Sequence, residues 1–237
     1  MMNMDRYIFS LEAKKEIKPL PISEEELCNR FETLFTSAVN DVLREDGLLN
    51  QALPNDILPL RKEMKVCGPA FTIKSSPSLD VVFEMESRAQ MLEAITSGSI
   101  VIWDTAGENV AAHWGEMMTK TSKNRGCRGA FVDGGVRDTN VVLQQEFPLF
   151  CRYRSSNGML GRTRIEAYQV PVKIGDVSIF PGDIAFGDID GCLIIPRDIA
   201  YDILLRAEAV KKNEESIDAW IQEGVTPTEI VDRGGYF

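Results

Sequence analysis

Two short stretches concentrate the residue types that could do chemistry: Trp114-Gly115-Glu116-Met117-Met118 and Asp133-Gly134-Gly135-Val136-Arg137-Asp138. An arginine offers a planar fork that grips a carboxylate through two parallel hydrogen bonds. Aspartate and glutamate oxygens suit a hard cation such as Mg²⁺, which keeps several waters and asks for few protein ligands. A 2-oxo acid can fill the remaining positions with one carboxylate oxygen and its keto oxygen. The metal would polarise that carbonyl and stabilise the charge left by C–C cleavage. Gly115 lets an anion approach the backbone without a Cβ in the way, and Gly134 and Gly135 imply a tight loop beneath Arg137. The same residues also permit plain structural roles. Arg137-Asp138 could be a surface ion pair, and Glu116 a first-turn acid favouring the helix dipole. Local physics leaves both readings open.

The elements that must position these residues follow from periodicity. Strand-like segments at 66–74, 100–103, 129–132 and 148–153 alternate with helix-like segments at 81–97, 115–125 and 139–146. Such alternation argues for parallel β-α units. Both chemical stretches then fall where a strand gives way to a helix, whose first turn offers unpaired N–H groups. Upstream, Ser23 with Glu26 forms a capping-box signature. Leu27, Phe31, Leu34, Phe35, Ala38, Val42 and Leu43 follow at helical spacing, predicting one packed helix. Beyond residue 170, short strands at 170–174, 177–180, 184–186 and 192–195 are separated by Gly175-Asp176, Pro181-Gly182-Asp183 and Asp190-Gly191. That density of turn residues predicts antiparallel strands beside the parallel unit. A polar helix over 197–222 closes the chain, with Gly224 as its stop.

Composition narrows the classes. The chain has 237 residues, 44% of them hydrophobic and 26% charged, enough for one sizeable core. We expect residues 1–20 to form an N-terminal extension and 21–237 a single domain with a C-terminal helix. A net charge of −10 argues against a nucleic-acid partner, since that binding runs on clustered Lys and Arg. Five scattered cysteines with no CxxC pair exclude a disulfide framework and suit small buried hydrophobes. Residues 1–20 carry charges where a signal peptide would be apolar, and nothing approaches a membrane span of ~18 apolar residues. The expected location is the cytoplasm, with no membrane partner.

Glu116, followed after twenty residues by Arg137-Asp138, resembles the signature of the RraA-like family, which joins 4-hydroxy-4-methyl-2-oxoglutarate aldolases (class II pyruvate aldolases) with regulators of ribonuclease E activity. Gly68-Pro69-Ala70-Phe71-Thr72 is similar to the family's early GPA-x-T strand. The 126–134 segment resembles its G-x-x-G-x-V-x-D-G run, with the Val offset by one place. Pro181-Gly182-Asp183, Asp188-Ile189-Asp190-Gly191 and Ile195-Pro196-Arg197 resemble its PGD…D-x-DG…iPr stretch. The similarity runs from about residue 37 to 224.

The resemblance implies an α/β fold: an α-β-β-α sandwich with a swivelling-type β/β/α core of mixed parallel and antiparallel strands and helical extensions at both ends. It implies that Arg137 binds the pyruvyl part of a small 2-oxo acid, helped by backbone N–H groups from Gly115 through Met118. Asp138 would ligate Mg²⁺ or Mn²⁺ directly, and Glu116 would hold a metal-bound water. Glu214, with Glu215 as its near rival, would reach the same metal through water from the C-terminal helix of a neighbouring subunit. The implied state is thus a homotrimer or hexamer sharing its sites, and the implied reaction is retro-aldol cleavage or oxaloacetate decarboxylation yielding pyruvate. Val141 stands where aldolase members often carry an acid. The rival reading is a non-catalytic regulator of a ribonuclease or helicase, whose branch tends to lose the carboxylates kept here. A methyltransferase is disfavoured, since no G-x-G-x-x-G loop follows a strand. His113, the only histidine, is expected to pack beside a helix or behind the reacting groups, the three tryptophans to pack, and Met117 and Met118 to fill core.

Overall fold

The computed structural model describes residues 19–80 and 84–235. Residues 1–18 of the expected extension, and 81–83 of the expected 81–97 helix, lie outside the described residues. The chain runs α1 (Glu24–Phe31), α2 (Thr36–Glu45), β1 (Leu58–Pro59), β2 (Val66–Pro77), α3 (Glu84–Ala94), β3 (Ile100–Asp104), β4 (Ala112–Trp114), α4 (Glu116–Asn124), β5 (Gly129–Val136) and α5 (Thr139–Gln144). It continues through β6 (Leu149–Arg154), β7 (Thr163–Tyr168), β8 (Val172–Ile174), β9 (Val177–Ile179), β10 (Ile184–Asp188), β11 (Gly191–Ile195), α6 (Ala200–Gln222) and α7 (Pro227–Asp232).

β2, β3, β5 and β6 lie parallel and side by side, as the β-α alternation requires. β10 and β11 extend the sheet antiparallel from the first half of β2, and β7 pairs antiparallel with its second half. β4 adds parallel to the far end of β5. Side chains alternate across each strand, and this splits the interior into three layers. Val101, Trp103, Ala130 and Val132 face a core with Met91 of α3, Met118 of α4 and Val142 of α5. Ile100, Ile102 and Phe131 face the opposite way, onto Ala185, Cys192, Ile194 and the β8–β9 hairpin. The other face of β10 and β11 (Ile184, Phe186, Leu193, Ile195) receives α1, α2 and α6. The result is the expected α-β-β-α sandwich. All five cysteines are buried and free, as their apolar neighbours suggest. Among the described residues no helix is long and apolar enough to cross a membrane.

Two local expectations are corrected. The helix expected from Leu27 to Leu43 is two helices. Glu32 leaves α1 to accept the Cys67 N–H at 2.8 Å, and buried Asp188 accepts both the Thr36 N–H (2.8 Å) and the Thr36 hydroxyl (2.7 Å) at the start of α2. Tertiary capping here overrides a continuous apolar stripe. Gly134 and Gly135 form no loop; they lie inside β5 because a Cβ would strike Thr105 Cγ2 (2.9 Å) from the first and the Ala111 carbonyl (2.7 Å) from the second. β7 lies in a stretch for which the sequence pattern assigns no element, with polar residues alternating along it.

His113 sits not beside a helix but in β4, its side chain fully enclosed against Trp103 at 5.8 Å. Neither ring nitrogen has a hydrogen-bond partner. Burial holds its pKa down to about 4, against an ordinary 6.5; the Glu108 carboxylate, 3.9 Å from Nε2, opposes this only in part.

Two outcomes follow. The unfolded imidazole takes up a proton below pH 6.5 while the folded one stays neutral to about pH 4. His113 therefore contributes its full share of stability above 6.5 and loses it as pH falls toward 4, by about 3 kcal/mol. Urea unfolding at pH 7 and pH 4.5 should show a smaller pH difference for His113→Phe than for the wild type. Asp188→Ala leaves three donors (Thr36 N–H and hydroxyl, and the Asp190 N–H at 3.0 Å) without their acceptor. Its unfolding midpoint should drop by the equivalent of about 3 kcal/mol with the denaturant slope unchanged.

Candidate active site

The parallel strands β3, β5 and β6 end on the same side, which is where α/β sheets present their ligand crevices. A cleft of about 400 Å³ opens there, lined by Arg137, Asp138, Thr139, Arg154, Ser155 and Ser156. That volume suits a small organic acid.

Strand pairing brings the two chemical stretches together. β4 runs beside the end of β5 with Trp114 opposite Val136, and the Arg137 N–H donates to the Trp114 carbonyl at 2.9 Å. Gly115, the next residue, caps α4 and sets the Glu116 N–H 3.4 Å from Asp138 Oδ2. A Cβ on Gly115 would lie 2.8 Å from Asp138 Oδ2 and 3.1 Å from Arg137 Cγ. Glycine is required by closeness, because the backbone itself is extended.

Asp138 stands at the N-cap of α5 with φ 56° and ψ 30°, in the left-handed region. An aspartate at an N-cap ordinarily accepts a bond from its own helix, yet this one makes no such bond. Its carbonyl accepts the Val141 and Val142 N–H groups, both at 3.0 Å, which hold the unusual backbone. The carboxylate is thereby turned across the cleft, 3.5 Å from Arg137 Nε and 43% exposed. Left-handed backbone away from glycine costs on the order of 1 kcal/mol and collects at functional sites. Arg137 is comparably open, and its guanidinium lies over Gly158, where a Cβ would sit 2.8 Å from Nη1.

Glu116 is at the first position of α4, 25% exposed, its carboxylate paired with Lys120 one turn on. Met118 is buried, whereas Met117 is 67% exposed and fills no core, correcting the expectation for its side chain. Glu214 and Glu215 are exposed on α6, in the helical layer across the sandwich from α4 and α5. One chain therefore unites Gly115, Glu116, Arg137 and Asp138 but leaves Glu214 apart. Asp133 lies inside β5, where burial raises its carboxyl pKa against the opposing pull of Arg152, whose Nε is 2.5 Å away.

Among the described residues no group of three acids, histidines or cysteines is placed to hold a metal ion. An exposed oxygen ligand from Asp138 with Glu116 near it matches Mg²⁺, which takes one or two carboxylates and retains water. Arg154, Ser155 and Ser156 escaped the sequence reading. Their signal was positional: the strand at 148–153 was recognised, and the residues at its carboxyl end must flank those at the end of β5, as Val136 opposite Arg154 does.

Residues 36–194 match the RraA-like family, described as aldolase/RraA. The chain is 31% identical over 205 residues to a Halalkalibacterium halodurans protein provisionally named a 4-hydroxy-4-methyl-2-oxoglutarate aldolase, covering 86% of this chain and 92% of that one. It is 29% identical over 223 residues to protein DlpA of Legionella pneumophila, covering 90% of this chain but spanning only 35% of that longer protein. A crystal structure described as one of the novel cellulases from microbes associated with the gut ecosystem superposes with a TM-score of 0.84 at 49% identity, over 91% of this chain and 97% of that one. Family match, fold and the meeting of Glu116 with Arg137-Asp138 coincide, and the chain belongs to the RraA-like family.

Proposed function

We propose that this protein is a divalent-metal-dependent lyase that cleaves a C–C bond of a small 2-oxo acid to release pyruvate. The observation that carries this reading is the Asp138 carboxylate, held off its own helix and beside Arg137 in a cleft sized for a small acid. The provisional aldolase name of a relative supports the reaction class.

A Mg²⁺ or Mn²⁺ ion ligated by Asp138 would supply Lewis acidity toward the keto oxygen. Arg137 grips the substrate carboxylate and steadies charge as it develops on the adjacent oxygen. The N–H groups of Met117 and Met118, in the first turn of α4, offer further donors to the same end of the substrate. Glu116, released from Lys120, takes through water the proton of the C4 hydroxyl. The C3–C4 bond then breaks, its electron pair stays with the pyruvyl fragment, and that fragment recovers a proton from the same water. Oxaloacetate loses CO₂ by the same electron movement. Glu214 from a neighbouring subunit completes the water's setting, which makes a trimer or a pair of trimers the working unit.

Pyruvate release from oxaloacetate and from 4-hydroxy-4-methyl-2-oxoglutarate should require Mg²⁺ or Mn²⁺ and stop with EDTA. Arg137→Ala and Asp138→Ala should each lower kcat/KM by on the order of 10²–10³-fold. Full metal-dependent turnover in either variant would sink the assignment. No turnover in the wild type would favour a regulator of a ribonuclease or helicase instead. Glu214→Gln should be inactive alone, yet mixing it with inactive Arg137→Ala and exchanging subunits should restore part of the activity. Absence of recovery after proven exchange would remove Glu214 from the shared site.

A further inference from the structure

Arg154 has no part in the reaction just described, yet it lines the same cleft. It is the last residue of β6 and the register partner of Val136, one residue before Arg137. Adjacent strands are about 4.8 Å apart, so the two arginines rise from neighbouring strand ends. Most arginines of this chain are tied to acids: Arg30 to Glu208, Arg128 to Glu32, Arg152 to Asp133 and Asp56, Arg206 to Asp46. Among the described residues no carboxylate pairs with Arg154, which stands exposed at the cleft.

Its backbone setting is firm. The Ser155 N–H donates to the Val136 carbonyl at 3.0 Å, and the Ser155 hydroxyl donates to the Val110 carbonyl at 2.7 Å. The residues lining the cleft include two arginines and one aspartate, in a chain whose net charge is −10. A local positive excess on so acidic a protein points to an anionic ligand. With Arg137 committed to the carboxylate next to the keto group, Arg154 remains for a second anion further along the substrate.

We propose that Arg154 is a specificity-determining residue that grips the distal carboxylate of a 2-oxo dicarboxylic acid, so that the site prefers diacids to 2-oxo monoacids of equal length. The proposal rests on the lyase reading for where the first carboxylate sits, but its test needs no turnover. A charge-assisted bond of this kind is worth roughly a tenfold to hundredfold change in affinity, toward the lower end where water reaches it.

The experiment is calorimetric titration of the full-length protein in Mn²⁺ with 2-oxoglutarate and with 2-oxopentanoate, which replaces the distal carboxylate by a methyl group. The wild type should bind the diacid about tenfold more tightly or better. Arg154→Gln should bring the two affinities together by weakening the diacid, while Arg154→Lys should keep part of the preference. A wild type that binds the two acids within twofold overturns the proposal, as does an Arg154→Gln protein that retains the preference. Should pyruvate release fail while the Arg154-dependent preference holds, the lyase reading falls and Arg154 stands; turnover without any preference gives the reverse.

Discussion

The hydrogen bond from the Arg137 N–H to the Trp114 carbonyl joins two chain segments that are otherwise remote in sequence, and the site exists because of it. It extends the β4–β5 pairing one step past the strand ends, so that Gly115 and Glu116 open α4 directly against Arg137 and Asp138. The approach leaves no room for a Cβ at Gly115. It also sets the Asp138 carboxylate before a backbone N–H, a weak restraint at 3.4 Å that orients the group without consuming its lone pairs. A stronger cap within α5 would have turned the carboxylate inward. The left-handed backbone at Asp138 is what prevents that.

Such an arrangement is only as well defined as the layers behind it. Trp114, the bond acceptor, is clamped by Phe147 stacked at 6.0 Å and by Trp103 edge-on at 6.3 Å, while its indole N–H donates to the Thr119 hydroxyl at 2.8 Å. Close packing of this kind transmits position, since interiors resist local displacement. His113 and Gly134 share the same wall, with Thr105 wedged between β3 and β5 through its hydroxyl bond to the Asp133 carbonyl. The buried imidazole there is a packing element, kept neutral by the same desolvation that denies its nitrogens a partner. The site is thus carried on strand ends and one helix start, which hold side chains more tightly than loops do.

How far the sequence made this legible depends on the range of the interaction concerned. The parallel unit was readable because its signals are local: short apolar runs alternating with helix-like segments place β2, β3, β5 and β6, and Arg137-Asp138 falls at the end of β5. The division between α1 and α2 was not, because Asp188, 152 residues away, supplies the bonds that break the helix. Asp183 and Asp188, which belong to the motifs that carry the family resemblance, hold backbone in the structure. Asp183 accepts the Phe180 and Arg197 N–H groups, and Asp188 caps α2. Gly134 and Gly135 suggested a loop because glycine marks turns, yet here it answers to side chains packed across the sheet. Arg154 was invisible because one arginine among scattered others acquires meaning only when strand register sets it beside Arg137.

Charge ties these layers to the surface. Several acids among the described residues are engaged in ion pairs away from the cleft, such as Glu208 with Arg30, Asp46 and Glu45 with Arg206, and Glu24 with Arg197. The cleft departs from that pattern, with more cation than carboxylate in its lining. A positive pocket in a negative surface draws small anions while the rest of the molecule repels polyanions, because fields from distant charges are screened within about 8–10 Å in physiological salt and nearby ones are not. Local cationic excess and global acidity therefore do not conflict. They act at different ranges, one within the cleft and the other over the whole surface.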